Sequence, residues 1–327
     1  MSSSQSPHVT VCVPVYNGER YVRATLSSLR QQSYGNLTVL ISDDASTDGS
    51  GEICRSFTQD PRFQLSVQPA RLGWTGNANC LLQAAQGDFV CITSHDDILH
   101  RRYIETLVDC LLAEPHCAMA FCDIREFGML DQILSQKDLS GSAFERVLGF
   151  ISNHYDGTAY RGLVRRQVIA EQGGLTGNSA NDFAADLIWL ARVARAGELR
   201  RIPQILYYKR RHQESASLQW GPWTDEMKSE AWCLHCCELL DVALDLDLTP
   251  AEQGLIVRAA VRRLLQIEPN RPFPFIRDLP REWKRSMVAS LLYVVRKHDT
   301  RYTAGGRNGK GLDGGLLAPV KFEDGLL

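Results

Sequence analysis

The sequence predicts an α/β fold with a mostly parallel central sheet, followed by a helical C-terminal region. Through residues 8–125, short β-branched strands alternate with amphipathic helices, a pattern typical of a parallel sheet covered by helices on both faces. From Asp225 to Val294 the apolar spacing is mostly helical. Acidic pairs directly follow two of the strands, and in such sheets ligands bind outside the carboxyl ends of the strands.

The predicted elements follow from apolar spacing and from turn residues. The predicted strands are Val9–Val15, Leu37–Ser42, Phe63–Val67, Phe89–Thr93 and Ala118–Cys122. The predicted helices are Glu19–Gln32, a stretch from Gly49 through Phe57, Asn77–Ala85 and Arg102–Leu112. Beyond residue 126 the alternation weakens, and the clearest elements are a helix over residues 183–196 and a returning strand at Leu199–Arg211.

Composition excludes several classes of protein. The 327 residues are 44% hydrophobic and 23% charged, as in ordinary globular proteins. With 36 Lys and Arg against 38 Asp and Glu, the charge of -2 predicts no nucleic-acid partner. No apolar run approaches the roughly 18 residues of a membrane span, and residues 1–8 do not resemble a secretory signal. Most of the ten cysteines lie inside apolar patterns without paired spacing, which favours a reducing, cytoplasmic location.

Asp96 and Asp97 stand at the end of the Phe89–Thr93 strand. Adjacent carboxylates repel each other unless a positive charge lies near them, and Mg²⁺ and Mn²⁺ bind carboxylate and phosphate oxygens together. The alternative is an N-cap for the helix that starts near Arg102. One Asp would satisfy a cap, so the second carboxylate favours a metal site.

Asp43 and Asp44 end the second strand in the same way. The Ser46-Thr-Asp48-Gly sequence after them is typical of a turn, which explains Ser46 and Asp48 without catalysis. A carboxylate just before the turn could accept hydrogen bonds from a base or a ribose. The first strand is not followed by Gly-x-Gly-x-x-Gly, which disfavours a nicotinamide-dependent oxidoreductase.

Four motifs occur in a fixed order and spacing: Val9–Gly18, Asp43–Gly49, Gly73-x-x-x-Asn77 and His95-Asp-Asp97. Together they resemble the inverting family 2 glycosyltransferases with the GT-A fold. The likeness is close over residues 8–125 and looser to about residue 217, through Ala185–Arg192 and Tyr207–Ser217. It implies a Rossmann-like, nucleotide-diphospho-sugar transferase fold with a mixed, mostly parallel central sheet.

The resemblance also implies a division of the chain. The expected segments are a disordered N-terminus at residues 1–7, a nucleotide-sugar-binding half of the GT-A domain at 8–125, an acceptor-binding half at 126–218, a helical region at 219–299 and a flexible Gly-rich tail at 300–327.

The resemblance assigns roles to individual residues. The implied donor-binding residues are Pro14, Tyr16, Asn17, Asp44, Arg71, Asn77, Asp96 and His212. Tyr16 would stack on the base, and Asp44 would face the base or ribose. Asp97 would hold the Mn²⁺ or Mg²⁺ ion on the donor diphosphate, with Asp96 touching ribose or sugar hydroxyls. Two positions depart from the family pattern, Ser94 where an Asp is usual and Arg71 where an Asn is common.

Asp186 falls where the family places its catalytic base. An inverting transfer needs a carboxylate that takes the proton of the acceptor hydroxyl as it attacks. The surrounding Phe183–Leu190 stretch is apolar, and partial burial would raise the pKa of Asp186 towards useful basicity. The alternative is an N-cap to the following helix, and Asp182 competes for both roles.

Three other patterns have simpler structural explanations. Arg210 and Arg211, beside His212, could assist at the diphosphate, but a basic loop facing solvent is favoured. The Cys233-x-His-Cys-Cys237 sequence suggests zinc, yet it lies on one predicted helix and a closed site needs a second segment. Core packing is therefore favoured there. Three tryptophans could form a sugar platform, although large aromatics more often anchor helices; they are Trp220, Trp223 and Trp232.

The leading hypothesis is an inverting transferase that moves a sugar from a UDP, dTDP or GDP donor to an acceptor hydroxyl. The acceptor would be a carbohydrate or lipid-linked glycan in cell-surface glycan or polysaccharide biosynthesis. The alternative is a non-catalytic nucleotide-sugar or carbohydrate-binding module on the same fold. A sugar nucleotidyltransferase would need a Gly-rich, lysine-bearing loop that the sequence lacks. Peripheral association with the inner face of the membrane and a homodimer are compatible with the sequence.

Overall fold

The computed structural model describes residues 6–152, 157–215, 218, 220–267 and 274–304. Most of the predicted N-terminal segment, residues 1–5, and the predicted tail beyond Ala304 lie outside the described residues. Contacts divide the chain into two compact units. One consists of the residues up to 146 together with 155–221, and the other consists of 147–154 together with the residues from 222 onward.

The first unit contains a nine-stranded sheet. Its strands are β1 (Val9–Val15), β2 (Leu37–Asp43), β3 (Phe63–Val67), β4 (Phe89–Ile92), β5 (Ile98–Leu99), β6 (Cys117–Gly128), β7 (Gln132–Leu134), β8 (Leu163–Arg165) and β9 (Glu198–Arg211). Their order is β3-β2-β1-β4-β8-β6-β9-β5, with β7 paired to β6. The strands β1 to β4 pair in parallel, as do β6 and β9, whereas β8 is antiparallel to both β4 and β6. The predicted mixed α/β sheet is confirmed.

Helices cover this sheet and form the second unit. The helices of the first part of the chain are α1 (Val22–Arg30), α2 (Ser50–Phe57), α3 (Gly73–Ala84), α4 (Tyr103–Ala113), α5 (Ala143–Ile151), α6 (Arg166–Gln172) and α7 (Ala185–Ala196). Those of the C-terminal part are α8 (Asp225–Leu244), α9 (Pro250–Leu264) and α10 (Arg281–Ala304). Short 3₁₀ helices lie at Gly157–Arg161 and Pro274–Asp278. Helix α10 continues past residue 300, where the tail was expected to begin.

Three features of the sheet were not evident from local pattern. Strands β5 and β8 are two and three residues long, too short to show alternation. Strand β6 continues six residues past the predicted end at Cys122 because its charged residues are paired with β9. Asp123 accepts from Arg201 at 2.8 Å, and Glu126 lies 2.9 Å from the Lys209 Nζ.

The core of the first unit lies between the sheet and helices α1 and α4. Leu26 and Leu29 on α1, and Ile104 and Leu107 on α4, are fully buried in it. Their spacing of three residues places each pair on one helix face. Strand β1 is buried along nearly its whole length, as expected for a strand covered on both faces.

In the helical unit, α9 begins with a capping box. The Thr249 hydroxyl accepts from the Glu252 backbone N–H, and the Glu252 carboxylate accepts from the Thr249 N–H at 2.8 Å. Trp232 and His235 of α8 are buried, and the Trp232 indole donates to the Leu264 carbonyl. Among the described residues, no helix is both long and apolar enough to cross a bilayer.

The Leu29→Ala variant should lose stability because the side chain is 0% exposed in the core of the first unit. We expect the free energy of unfolding to fall by about 2–5 kcal/mol. Urea unfolding of this variant and of Leu112→Ala, whose side chain is 54% exposed on α4, provides the comparison. Equal losses in the two variants would contradict the core assignment.

Candidate active site

The candidate site lies at the carboxyl edge of the parallel strands. Tyr16 follows β1, Asp44 follows β2 and Asp96 follows β4 by four residues. Because β1 pairs in parallel with both β2 and β4, these three strand ends meet at one edge. The edge predicted from the sequence is therefore the one that gathers the acidic pairs.

The loops after β1 and β2 hold each other through short hydrogen bonds. The Asn17 N–H donates to the Ser46 hydroxyl, and the Thr47 N–H donates to the Asn17 carbonyl oxygen Oδ1, both at 2.9 Å. Asn17 and Ala45 have positive φ angles of 45° and 56°. Such backbone is costly for Ala, and it is common where a functional site constrains the chain. This contact gives Ser46 a structural role in joining the two loops.

Asp44 is almost completely buried and caps helix α3. Its two carboxylate oxygens accept from the Leu72 and Gly73 N–H groups at 2.6 and 3.0 Å. A carboxylate at a helix N-terminus is stabilised by the helix dipole. This contact also explains why α3 begins four residues before its predicted start, since Asp44 is distant in the chain. Each carboxylate oxygen keeps further acceptor capacity for a ligand.

Tyr16 is covered by a cation. The Arg71 guanidinium carbon lies 4.0 Å from the centroid of the Tyr16 ring, which is cation–π distance. Pro14 is half-buried on β1, next to this residue pair in the chain. The pair places a flat aromatic surface and a positive charge beside the carboxylate-capped start of α3.

Asn77 is buried on α3 and contacts the backbone of β2. Its amide nitrogen donates to the Ser42 carbonyl at 2.9 Å. Its Oδ1 atom is buried and has no hydrogen-bond partner among the described residues. The predicted contact of Asn77 with the donor diphosphate stays a prediction, and the structure shows a side chain that fixes the end of β2.

Asp97 is buried and has all of its carboxylate contacts inside the protein. Its Oδ1 accepts from the Arg210 N–H at 2.8 Å. Its Oδ2 accepts from the Tyr207 hydroxyl at 2.8 Å and from Arg161 Nε at 3.3 Å. The Tyr207 hydroxyl is also 2.8 Å from Thr93 Oγ1, so a chain of hydrogen bonds runs from the end of β4 to Asp97.

Asp96 faces a different environment from its neighbour. Its Oδ2 lies 2.8 Å from His212 Nε2, and each side chain is 15% exposed. The His212 Nδ1 is buried and has no hydrogen-bond partner within the described residues. The ring of Tyr21 lies against the His212 ring, with centroids 4.5 Å apart. A carboxylate oxygen and an imidazole nitrogen are therefore held side by side beneath an aromatic ring.

The basic residues before His212 are part of strand β9, so the expectation of a solvent-facing basic loop is wrong. Arg210 donates through Nε to the Asp96 carbonyl at 3.0 Å, and its guanidinium lies 4.5 Å from the Phe127 ring centroid. Arg211 Nε lies 3.0 Å from the Glu126 carboxylate. Pairing of β9 with β6 holds this segment in place.

The helix-cap alternative for the Asp96-Asp97 pair is also wrong. Helix α4 has Arg102 at its N-cap, without a side-chain cap bond. Strand β5 separates the acidic pair from that helix. The pair is instead fixed through its backbone, since the Thr25 hydroxyl lies 2.7 Å from the carbonyl oxygens of both His95 and Asp97.

Asp186 is in the first turn of α7, and it is not the N-cap. The N-cap is Ala184, which has a left-handed φ of 55° and no side-chain cap bond. The Asp186 Oδ1 accepts from the Leu187 N–H at 2.9 Å. Its Oδ2 lies so close to Gly157 that a Cβ there would be 2.6 Å away, so a larger residue at that position would displace the Asp186 carboxylate.

Asp182, the alternative candidate for the catalytic base, makes hydrogen bonds that hold the loop before α7. Its Oδ2 accepts from the Thr75 hydroxyl at 2.6 Å, and its Oδ1 accepts from the Asn178 N–H at 3.0 Å. The Oδ2 contact thus ties the loop before α7 to α3, and the Oδ1 contact lies within the loop itself. Asp182 has a positive φ of 57°, as do Asn181 and Ala184 at 51° and 55°. These three residues with positive φ shape the loop before α7 and so place Asp186 in its buried position.

Arg161 connects the two buried carboxylates and was missed at the sequence level. Burial raises the pKa of Asp97 and of Asp186, and the positive charge of Arg161 opposes that rise at both. Burial alone would lower the pKa of Arg161, but Asp97 and Tyr207 hold it above its ordinary value. The buried Tyr103 hydroxyl donates to the Arg161 carbonyl and fixes the 3₁₀ helix that carries it. No local motif marks Arg161, because its partners are distant in sequence.

One other group could hold a metal ion. Among the described residues, three ligand atoms from Glu114, His116 and Cys117 lie within 4.8 Å of one another. Arg200 already donates to this Glu114 carboxylate at 2.5 and 2.8 Å, so its charge is neutralised. The group lies where β6 begins, away from the strand ends that gather the acidic pairs.

The Asp186→Asn variant should be more stable than the parent protein at neutral pH. Because burial raises the pKa of Asp186, the folded chain binds more protons than the unfolded chain above the ordinary pKa of about 4. The free energy of unfolding therefore falls as the pH rises from about 4 through the raised pKa of Asp186. Thermal unfolding from pH 4 to 8 should show an advantage for Asp186→Asn that grows with pH. A constant difference, or the same growth in the exposed-site control Asp109→Asn, would contradict this.

Comparisons with known proteins identify a family for part of the chain and solved structures of similar fold. The family model described as Glycosyl transferase family 2 matches residues 10–171. Glycosyltransferase GlyA of Streptococcus pneumoniae is 37% identical over 99 residues, which are 30% of this chain and 14% of that protein. The chain thus spans a small part of this curated relative.

Two solved structures share the fold. TarS 1-349 of S. aureus in complex with UDP-GlcNAc has a TM-score of 0.61 at 16% identity, covering 92% of this chain and 93% of that one. The mannosyltransferase PcManGT from Pyrobaculum calidifontis in complex with GDP-Man and Mn²⁺ has a TM-score of 0.53 at 17% identity, covering 90% and 88%. The chain therefore has the GT-A fold, and its residues 10–171 match glycosyl transferase family 2, a family of transferase enzymes.

Proposed function

We propose that this protein is an inverting glycosyltransferase that moves a sugar from a nucleotide-diphospho-sugar to an acceptor hydroxyl. The observation that carries the proposal is the connection of Asp96-His212 to the buried carboxylate Asp186. Asp97 links these groups. Its chain neighbour Asp96 contacts His212, and the Asp97 carboxylate binds Arg161. Arg161 in turn acts electrostatically on Asp186.

The donor nucleotide is proposed to lie at the ends of β1 and β2. The Tyr16 ring offers a stacking surface, and Arg71 supplies positive charge for phosphate oxygens. Asp44 keeps acceptor capacity for a base or ribose hydroxyl while it caps α3. The fold neighbours, solved with UDP-GlcNAc and with GDP-Man, support a UDP or GDP donor, and dTDP stays a prediction from the sequence.

A divalent cation, Mn²⁺ or Mg²⁺, is proposed to bind at Asp96 and His212. The residues fit such an ion because a carboxylate oxygen lies beside an imidazole whose other nitrogen has no partner in the described chain. Asp97, the ligand expected from the sequence, is only 1% exposed and is paired with Arg161, whereas the Asp96 side chain is 15% exposed. We therefore favour Asp96 as the ligand and Asp97 as the residue that positions it. When bound, the cation would neutralise charge on the departing diphosphate.

Asp186 is proposed as the catalytic base. As the acceptor oxygen bonds to the anomeric carbon, its proton passes to an Asp186 carboxylate oxygen, and the nucleoside diphosphate leaves with the electrons of the broken bond. Burial raises the pKa of Asp186, which makes the carboxylate a better proton acceptor, and the positive charge of Arg161 opposes that rise. Residues 8–125 and 126–218 would then supply the donor and acceptor halves. The acceptor is proposed to be a carbohydrate or lipid-linked glycan of cell-surface polysaccharide.

Donor binding should depend on the cation through Asp96. Thermal shift against UDP-, dTDP- and GDP-sugars, with and without Mn²⁺, should show stabilisation by one nucleotide class that increases with Mn²⁺. A free-ligand concentration of 100 times Kd corresponds to about 2.7 kcal/mol of stabilisation. Asp96→Asn and His212→Ala should lose the Mn²⁺-dependent part.

A flat response of the parent protein to the whole panel would overturn the donor assignment. Loss of the Mn²⁺ effect in Asp97→Asn alone, with Asp96→Asn unaffected, would return the cation ligand to Asp97. The exposed-site variant Asp109→Asn serves as the matched control for a changed acidic residue.

Asp186→Asn should bind the donor with unchanged affinity and lose transfer by at least about 100-fold, the usual contribution of a general base. Asp182→Asn should keep the greater part of its turnover, because Asp182 acts in loop structure. Steady-state kinetics with the donor found in the panel measure both. Donor binding without turnover in the parent protein, across acceptors, would favour the non-catalytic binding module.

A further inference from the structure

The helical unit contains a cavity of about 300 Å³ between the end of α5 and helix α9. Leu148 and Ile151 line it from α5, and Leu255 lines it from α9. The Leu255 side chain is 44% exposed, so the apolar wall of the cavity reaches the surface there. The residues of the candidate active site belong to the other unit, and the cavity is therefore separate from it.

The charge of the cavity wall has a single sign. Among the described residues, the charged ones that line it are three arginines of α9, and they are Arg258, Arg262 and Arg263. Helix α9 contains one acidic residue, Glu252, and its carboxylate is used in the capping box at the start of the helix. A concave surface with several positive charges attracts anions.

Arg263 is fixed on the buried side of the cavity. Its side chain donates through Nη1 to the Phe150 carbonyl of α5 at 3.2 Å, and its Nη2 lies 3.1 Å from His235 Nε2. The guanidinium carbon is 4.9 Å from the centroid of the Trp232 ring. Because Arg263 is only 3% exposed, its charge is weakly screened by water and acts more strongly on an anion in the cavity than a surface charge would.

Arg258 and Arg262 are on the exposed side of the cavity. Steps of three and four residues place Leu255, Arg258 and Arg262 on one face of α9. The Arg258 side chain folds back over the preceding turn, where a Cβ at Gly254 would lie 3.4 Å from Arg258 Nη1. Arg258 makes no ion pair with another described residue, so its guanidinium keeps donors for a ligand.

The chemistry of the cavity favours an anionic lipid over a simple anion. A free phosphate gains nothing from the apolar wall, whereas a phospholipid brings a phosphate and acyl chains together. Helices that bind at the membrane interface combine basic residues with exposed Leu, Phe or Trp side chains. We propose that the cavity binds the phosphate of an anionic phospholipid at a membrane surface, with Arg258 and Arg262 at the phosphate oxygens and Leu255 at the acyl boundary.

Co-sedimentation of the full chain with vesicles tests this site. In 0.1 M salt, where the screening length is about 10 Å, equimolar phosphatidylglycerol and phosphatidylcholine should bind the parent protein, and phosphatidylcholine alone should not. Arg258→Gln and Arg262→Gln should each weaken binding about fivefold, the amount expected for one arginine at an anionic surface. The matched control is Arg285→Gln, an exposed arginine of α10 outside the cavity, which should bind as the parent does.

The apolar wall and the source of the phosphate have separate tests. Leu255→Gln should weaken vesicle binding severalfold, whereas Met227→Gln, whose side chain is 46% exposed on α8, should not. Unchanged binding of Leu255→Gln, or an equal loss in Arg285→Gln, would overturn the cavity as the lipid site.

Inorganic phosphate distinguishes a lipid from a free anion. If it raises the melting temperature of the parent protein but not of Arg258→Gln, and neither kind of vesicle binds, the cavity holds a free anion and the lipid proposal is overturned. Because Leu255 and Arg258 are exposed, their variants should fold as the parent does, and circular dichroism checks this. None of these measurements depends on sugar transfer.

Discussion

The buried carboxylate of Asp97 is the contact on which the arrangement of the site depends. A carboxylate that is 1% exposed is stable only if its charge is paired and its oxygens are hydrogen-bonded. Here Arg161 of the 3₁₀ helix, and the Tyr207 hydroxyl and Arg210 N–H of β9, supply those contacts from two separate segments. Removal of any one partner would leave a buried charge undercompensated, so the same carboxylate holds these two segments against the loop that carries it.

The contacts of Asp97 affect both the Asp96-His212 pair and Asp186. Through the backbone it orients Asp96 towards His212, whose imidazole is otherwise held by the Tyr21 ring. Through Arg161 it brings a positive charge near Asp186, a carboxylate whose burial raises its pKa. The proposed cation ligand and the proposed base are therefore linked electrostatically, and a change at one is expected to alter the other.

Much of the fold and part of the site could be predicted from local sequence. Strand β3 was predicted with its observed bounds, and the Asp96-Asp97 pair was correctly expected at a strand end because buried runs and turn residues are local signals. The cap alternatives failed for both Asp96-Asp97 and Asp186, since α4 and α7 begin with Arg102 and Ala184 as N-caps. The capping preference of Asp contributes only weakly to the local conformation, and tertiary contacts overrode it.

The sequence by itself determined the α/β alternation, the carboxyl edge and the residue types gathered there, because periodicity and turn chemistry depend on near neighbours. Only the tertiary structure decided how two adjacent aspartates divide their contacts, since Asp97 turns towards Arg161 and Asp96 towards His212, residues 64 and 116 positions away. It also decided that Arg210 belongs to a strand, and it brought Arg161 into contact with Asp97 and near enough to Asp186 for its charge to act on both. Such long-range pairing of buried charges leaves no periodic trace in the chain, because its partners are set by the fold.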